Sequence, residues 1–389
     1  MSTLAERGAA RVEWIRSRMP LLAAVREQFA AGRPFAGHRI GMSLHIEPKT
    51  AVLLETLAAG GAEIVATGNH GSTQDDVVAF LREQGMTVFG ARDDSLEQHH
   101  ANVSAVAAAR PDILLDNGAD LVALVAGDPG GVLGGTEETT SGGIRLRAEL
   151  ADRVPFPMIV INDSLLKAIG ENKHAVGQSV VESFMRITNL MVPGRRFVVA
   201  GYGWCGRGVA HYLRALGGKV AVVEIDEIVA FEAAMDGFRV AELDDLADWG
   251  EVFITATGHP DILTTPFFEK VASGAVLANC GHFPWEIDVV ALHAMSEKAT
   301  ILDDAIERID LPGGRHVILL ADGRMMNLAG REPKGNSLES MDLGFLLQCL
   351  SLERVATSAS TLQAGAQPVP DDIDREIARR MLSSMSAHR

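Results

Sequence analysis

The chain is short of cysteine. Three residues in 389, Cys205, Cys280 and Cys349, are scattered along it, which excludes a disulfide framework and fits a reducing compartment. No Cys/His group has zinc-ligand spacing, so no catalytic metal is predicted. Basic runs are also missing and the net charge is −16, which argues against nucleic acid or an anionic membrane as partner. No apolar run reaches membrane-spanning length, since even Arg11 to Arg26 is interrupted by charge, and no signal-peptide pattern is present. These absences point to a soluble, cytoplasmic protein. Internal repeats are absent as well. Only Ala356 to Pro370, rich in Ala, Ser and Pro, reads as a linker.

What is there begins with apolar residues, 47% of the chain, enough for two domains with sizeable cores. The most informative stretch is Arg195 to Asp226, RRFVVAGYGWCGRGVAHYLRALGGKVAVVEID. Phe197 to Ala200 predicts a short buried strand, Gly201-Tyr-Gly203-Trp204-Cys205-Gly206 a turn into an apolar-periodic helix, and Lys219 to Glu224 a second strand. Glycine at 201 allows a tight turn, at 203 a close approach of backbone to a pyrophosphate, and at 206 close packing of helix on strand. The helix N-terminus offers its free N–H groups to phosphate. Glu224, about 20 residues past the glycines, is placed to bind both hydroxyls of an adenosine ribose, which favours NAD over NADP.

Elsewhere strand and helix patterns alternate. Val12 to Ala31 has helical periodicity; strands follow at Arg39 to Leu44, Glu63 to Thr67, Thr87 to Gly90, Ile113 to Leu115 and Met158 to Ile161, with helices between them. Ser179 to Met191 predicts an amphipathic helix. Strands recur at Glu251 to Thr255, Ala275 to Ala278 and His316 to Leu320, and helices at Ser337 to Leu352 and Asp371 to Met381. Alternation of this kind gives parallel sheets covered by helices. Polar residues at the strand ends, among them His45, Asn69, Asp116-Asn117 and Asn162-Asp163, then Thr257-Gly258, Asn279-Cys280-Gly281-His282 and Asn327, fall where open sheets bind ligands.

Across about 330 residues the chain resembles the S-adenosylhomocysteine hydrolase family. The resemblance is carried by LHIEPKTAVLLETLAAGGAE, GNHGSTQDD, ILLDNGADL, GGTEETTSGG, VINDSLLK, GYGWCGRG, EIDEIVAFEAAMDGF, NCGHFPWEID and MDLGF. It implies an α/β protein of two doubly wound parallel-sheet domains joined by a hinge. A substrate domain would span 1–175 and be completed by 337–360, a Rossmann NAD-binding domain would span 176–336, and 361–389 would be a C-terminal linker and helix. It also implies a cycle with no net redox. NAD+ oxidises the 3′-hydroxyl of a nucleoside, the C4′ hydrogen becomes acidic, the C5′ group leaves by β-elimination, water adds and the ketone is reduced again.

Residue by residue, the resemblance places Lys167 beside the 3′-hydroxyl as a base, Glu138 on the ribose hydroxyls, and His45 and His282 near C5′, with His282-Phe283 gating the site. Thr139, Thr140 and Asn172 match contacts to nicotinamide or its ribose, and Glu224, Thr257, Asn279 and Asn327 match further NAD contacts. A homo-oligomer, dimer or tetramer, is expected.

Several departures fall on one pocket. Asn117 replaces an aspartate used for proton handling, Glu171 replaces another, and Val176 takes the place of a cysteine. Glu47 and Lys49 stand where a threonine and a glutamate flank the purine. Val229 replaces an adenine-ribose asparagine. The loop Ala329 to Leu338 lacks the family's GHP histidine and has Asn336 nearest to it. The sequence also ends at Arg389 without the family's closing lysine and tyrosine arm, so a more open site is expected. From these departures a nucleoside dehydratase of specialised biosynthesis is expected, a lyase that loses water from C5′ and leaves an alkene. Two other readings stay open: S-adenosyl- or S-inosylhomocysteine hydrolysis, and a non-catalytic NAD-binding regulator.

Overall fold

The computed structural model describes residues 2–281, 284–331 and 333–387. Fifteen strands occur among them. The first six are β1 (Arg39–Ser43), β2 (Glu63–Thr67), β3 (Thr87–Phe89), β4 (Ile113–Asp116), β5 (Gly134–Glu137) and β6 (Pro157–Val160). Then come β7 (Arg196–Ala200), β8 (Lys219–Val223), β9 (Arg239–Val240), β10 (Val252–Thr255) and β11 (Ala275–Asn279). The rest are β12 (Lys298–Asp303), β13 (Ile306–Leu311), β14 (Arg315–Leu320) and β15 (Gly365–Pro368).

The chain divides into two compact units, Met1–Ala168 with Leu338–Arg389, and Ile169–Ser337. The first is built on a seven-stranded sheet of order β15-β6-β5-β4-β1-β2-β3, parallel throughout. Its inner strands are buried on both faces, as helix-covered parallel sheets require. The second has an eight-stranded sheet of order β12-β13-β14-β11-β10-β7-β8-β9. Here the β12–β13–β14 edge is antiparallel, so the sheet is mixed rather than wholly parallel.

Three sequence expectations are corrected. The single helical pattern Val12 to Ala31 is two helices, Leu4–Arg16 and Pro20–Gly32, because Pro20 lacks an N–H and occupies the first turn of the second. The expected linker Ala356 to Pro370 carries the end of the Leu338–Ser358 helix and then β15, which pairs with β6. Residues 361–389 are therefore part of the first unit. The passage into the second unit falls at 168/169, at the head of a π-helix, Ala168–Ala175, rather than after 175. That π-helix holds Glu171 and Asn172, and such turns are frequent at functional sites.

The returning Leu338–Ser358 helix is anchored by Asp342. Its carboxylate accepts the N–H groups of Leu21 and Leu22, both at 2.9 Å, and so satisfies two free donors at the start of the Pro20–Gly32 helix. Burial pushes the Asp342 carboxyl up to about 6, against the pull of those donors. Between about pH 4 and pH 6 the folded chain thus keeps a proton that the unfolded chain releases. The associated stability, about 3 kcal/mol, is fully present at the acid end and lost as pH rises through that window. Asp342→Asn cannot ionise, and its urea midpoint is expected to vary less with pH there than that of the parent; parallel pH profiles for the two proteins would count against this account.

Candidate active site

In the first unit the carboxyl ends of β4 and β5 set the site. Asp116 and Glu137 are register partners there, and both are fully buried. Asp116 accepts N–H groups from Asn117 at 2.9 Å and Val122 at 2.8 Å. Glu137 accepts from the N–H groups of Gly118 (2.9 Å), Ala119 (3.0 Å) and Thr139 (2.8 Å), and from the Thr139 hydroxyl (2.7 Å). Burial pushes both carboxyls up, and for Glu137 the neighbouring Asp116 adds to the rise. These groups are engaged with backbone, so their work is to hold the loops that carry Asn117 and Glu138.

Asn117 Oδ1 accepts from Asn69 Nδ2 at 2.8 Å. Ser72 links the same loop to His45, donating to the Asn69 carbonyl at 3.0 Å while its oxygen lies 2.6 Å from His45 Nδ1. Glu138 and Lys167 form an ion pair with side chains only 8% and 4% exposed. Lys167 Nζ donates to Glu138 Oε1, and Gln348 Nε2 to Oε2. The Lys167 turn starts at Ser164, whose Oγ caps Leu166 N at 3.1 Å and donates to Asp374 at 2.7 Å. Lys49, near the start of the Pro48–Ala59 helix, is buried with Nζ 3.1 Å from Glu47 Oε1. Thr139 caps the Thr140–Arg147 helix through Gly142 N at 2.9 Å, and Thr140 accepts from Asn162 Nδ2 at 2.7 Å.

In the second unit, β7, the Trp204–Ala215 helix and β8 form the predicted strand–helix–strand. Gly201 has φ +96°, and a Cβ on Gly206 would stand 2.0 Å from the Gly201 carbonyl oxygen. A Cβ on Gly203 would meet no protein atom within 4 Å. Glu224 at the end of β8 accepts from Tyr202 N (2.7 Å), Ile225 N (2.8 Å) and Asp226 N (3.0 Å). Trp204 is partly exposed with the Arg207 guanidinium 4.9 Å over its ring, and Cys205 is half-buried in the same first turn.

The Thr257-Gly258 loop is held by Glu286, fully buried, which accepts from Thr257 N and Oγ1 (both 2.8 Å) and Gly258 N (2.9 Å). Asn279 accepts from Gly281 N at 2.7 Å and donates to the Gly323 carbonyl at 3.0 Å. A chain of amides and hydroxyls joins Glu171, Asn336, Ser179 and Asn327. Asn336 Nδ2 lies 3.3 Å from Glu171 Oε1, Ser179 Oγ donates to Asn336 Oδ1 at 3.3 Å, and Asn327 Nδ2 donates to Ser179 Oγ at 3.2 Å. Asn327 Oδ1 is buried with no hydrogen-bond partner among the described residues.

Two family models match the chain: S-adenosyl-L-homocysteine hydrolase over residues 2–130 and its NAD binding domain over residues 172–332. An S-inosyl-L-homocysteine hydrolase of Methanopyrus kandleri is 44% identical, the alignment covering 98% of this chain and 92% of that one. The chain belongs to the S-adenosyl-L-homocysteine hydrolase family. An adenosylhomocysteinase of Archaeoglobus fulgidus is 43% identical over 97% of this chain and 94% of its own length. Among solved structures, a dipicolinate synthase component from Bacillus halodurans superposes with a TM-score of 0.51 at 13% identity, over 83% of this chain and 99% of that one. That likeness shows the fold alone.

Membership of the hydrolase family makes NAD the cofactor, and the second unit fits it. The open side of Gly203 and the free N–H groups of the helix behind it make an anion cradle that a side chain would fill. At Glu224 a 2′-phosphate would face a carboxylate, while ribose hydroxyls would find an acceptor. The orphaned Asn327 oxygen is a buried acceptor suited to an amide donor.

Of the residues singled out in the sequence, Lys167 meets Glu138, and His45 joins Asn117 through Ser72 and Asn69. Asn336 meets Glu171 in the second unit. Thr139 and Thr140 lie in the first unit with hydroxyls occupied by local bonds. His282, with Phe283, lies outside the described residues. Four supporting residues were missed, Glu137, Glu286, Ser179 and Gln348, while Asp116, named only as a strand-end residue, is a buried anchor. Gln348 carried a signal, being one polar residue inside the apolar run LGFLLQCL.

Proposed function

We propose that the protein hydrolyses the thioether of an S-nucleosyl-L-homocysteine, with the inosyl substrate favoured, by a cycle that begins and ends with NAD+. The observation that carries this is the buried Lys167–Glu138 pair. A lysine so placed can move a proton at a ribose hydroxyl, while a carboxylate beside it holds the diol. NAD+ bound there would supply the acceptor for the C3′ hydride, which the reduced cofactor would give back at the end. Gly201, Gly203, Gly206 and the first turn at Trp204 and Cys205 would hold its pyrophosphate. Glu224 would hold its adenosine ribose, Asn172 would lie at its nicotinamide end, and Thr257, Gly258, Asn279, Gly281 and Asn327 would make further contacts to it.

Oxidation at C3′ acidifies the C4′ hydrogen. Loss of that proton breaks the C5′–S bond, and His45 would protonate the departing homocysteine thiolate. Water then adds its hydroxyl to C5′ and a proton to C4′. Asn117 can orient but cannot accept a proton, so the basic work at the sugar falls to Lys167 and His45.

The dehydratase reading, drawn from Asn117, Val176 and the altered loop, is set aside. Relatives similar to this chain over nearly its whole length carry hydrolase names, adenosyl and inosyl alike, so those departures do not by themselves mark a new end point. The non-catalytic reading is weakened by the same retained pair. Self-association is also proposed: Ile228, Phe231 and Met235 leave an exposed apolar stripe on the Glu227–Met235 helix.

Preference for the 6-oxopurine rests on Lys49. An ammonium only donates, so Lys49, paired with Glu47 at 3.1 Å, would suit O6 of hypoxanthine if it faces the 6-substituent, with Glu47 accepting from N1–H. Thiol release from the two substrates tests the function: homocysteine from both, with kcat/KM about tenfold higher for the inosyl form, is expected. Lys49→Met is expected to lower the inosyl value by about 30-fold and the adenosyl value much less. Release of a dehydrated nucleoside without thiol would reject hydrolysis, and an adenosyl preference untouched by Lys49→Met would reject the base assignment.

A further inference from the structure

Gln348 sits at the middle of the Leu338–Ser358 helix, in the segment that returns to the first unit, and its side chain is fully buried. Its Nε2 donates to Glu138 Oε2 while Lys167 occupies Oε1. The amide orientation follows from chemistry, since the reverse would set oxygen against carboxylate oxygen. In this orientation Gln348 Oε1 is left buried without a partner among the described residues. An unmet buried acceptor is destabilising and calls for an explanation. A residue kept only for packing would be apolar here, like Leu346, Leu347 and Cys349 beside it. Gln348 is thus retained for its donor.

We infer that Gln348 is a positioning residue for 3′-oxidation: it fixes the plane of the Glu138 carboxylate, and through it the place of Lys167 Nζ. The inference rests on the roles proposed above for Glu138 and Lys167. A neutral donor suits the task, because the Lys167–Glu138 pair then stays charge-balanced. A second cation would instead compete with Lys167 for the carboxylate. Without the amide, Glu138 is tethered at one oxygen only and can turn about its last torsion, carrying Lys167 with it. Misplacement of about 1 Å is enough to cost about 100-fold in rate.

The test compares NAD-loaded parent protein with Gln348→Met, Gln348→Glu and the milder Gln348→Asn, which keeps the amide but withdraws it by one methylene. Thermal midpoint, NAD content, KM, kcat and the rate at which NADH absorbance appears in a single turnover are measured with S-inosylhomocysteine. For Gln348→Met, kcat and the NADH rate are expected to fall about 30- to 100-fold with KM within about threefold and NAD content unchanged. Gln348→Glu sets carboxylate against carboxylate and falls further. Should both fail to fold, Gln348→Asn alone decides, with a loss of about tenfold expected in the same two rates. Variants that keep the parental kcat, or lose only KM or thermal stability, overturn the inference while leaving the proposed function intact. A parent protein that neither releases thiol nor reduces its NAD overturns both.

Discussion

Lys167→Met is expected to lower homocysteine release by about 10³-fold, with NAD still bound, because it removes the group that moves the proton at the 3′-hydroxyl. The same change strands Glu138. Its carboxylate is buried with Lys167 as its cation, and breaking such a pair on one side costs about 3–5 kcal/mol. Lost stability and lost chemistry therefore arrive together in that variant. Lys167→Arg separates them. Guanidinium keeps the charge opposite Glu138 but is not deprotonated in proteins, so the arginine protein should fold near the parental midpoint and still lack turnover and NADH formation. Arginine at 167 with a substantial fraction of parental activity would remove Lys167 from the reaction.

The second large effect is expected at the glycine turn, where two neighbouring positions should behave differently. A Cβ at 206 would stand 2.0 Å from the Gly201 oxygen and 2.8 Å from its carbonyl carbon, both backbone atoms. Gly206→Ala must therefore shift the turn or the helix, and both stability and NAD binding are expected to suffer. Gly203 has φ −63°, which alanine adopts readily, and its Cβ would meet no protein atom within 4 Å. Gly203→Ala is thus expected to melt like the parent and to bind NAD about 100-fold more weakly, a loss of about 2.7 kcal/mol, because the methyl occupies the pyrophosphate's space. Calorimetric titration with NAD and a melting curve for each variant check the contrast. Parental NAD affinity in Gly203→Ala would place the pyrophosphate elsewhere.

The glycine turn was legible because each of its residues answers a local demand. Local rules also gave the buried strands β4 and β10. They missed β5, Gly-Gly-Thr-Glu, which has the composition of a turn. The reason is tertiary: a Cβ on Gly135 would lie 2.3 Å from the Leu114 oxygen, so this strand runs too close to β4 for a side chain. β15 was hidden in the same way, since its pairing with β6 is made across more than half the chain and its own residues are weak strand formers. The β12–β13 hairpin escaped notice because β12 is largely exposed and β13 only part-buried, with little alternation to read.

In the site, residues within quoted motifs could be named, but not their supports. Nothing local tells that Glu137 and Glu286 turn their carboxylates onto backbone N–H groups, or that Gln348 comes back from 210 positions away to Glu138. Burial of a polar group is a property of the fold. A lone glutamine in an apolar helix is its faint trace in the sequence. The dehydratase expectation finds no support in the relatives' names, and the reason is related: a substitution such as Asn117 shows which proton acceptor is missing, not which end point the remaining groups enforce.

The most direct measurement follows S-inosylhomocysteine bearing deuterium at C3′ through the NAD-loaded protein, recording NADH absorbance during turnover and the isotope in the product. The account predicts homocysteine release, an absorbance that rises and decays within the turnover, and inosine that keeps its deuterium at C3′. Thiol release with flat absorbance, or lasting NADH with a 3′-keto product, would contradict it.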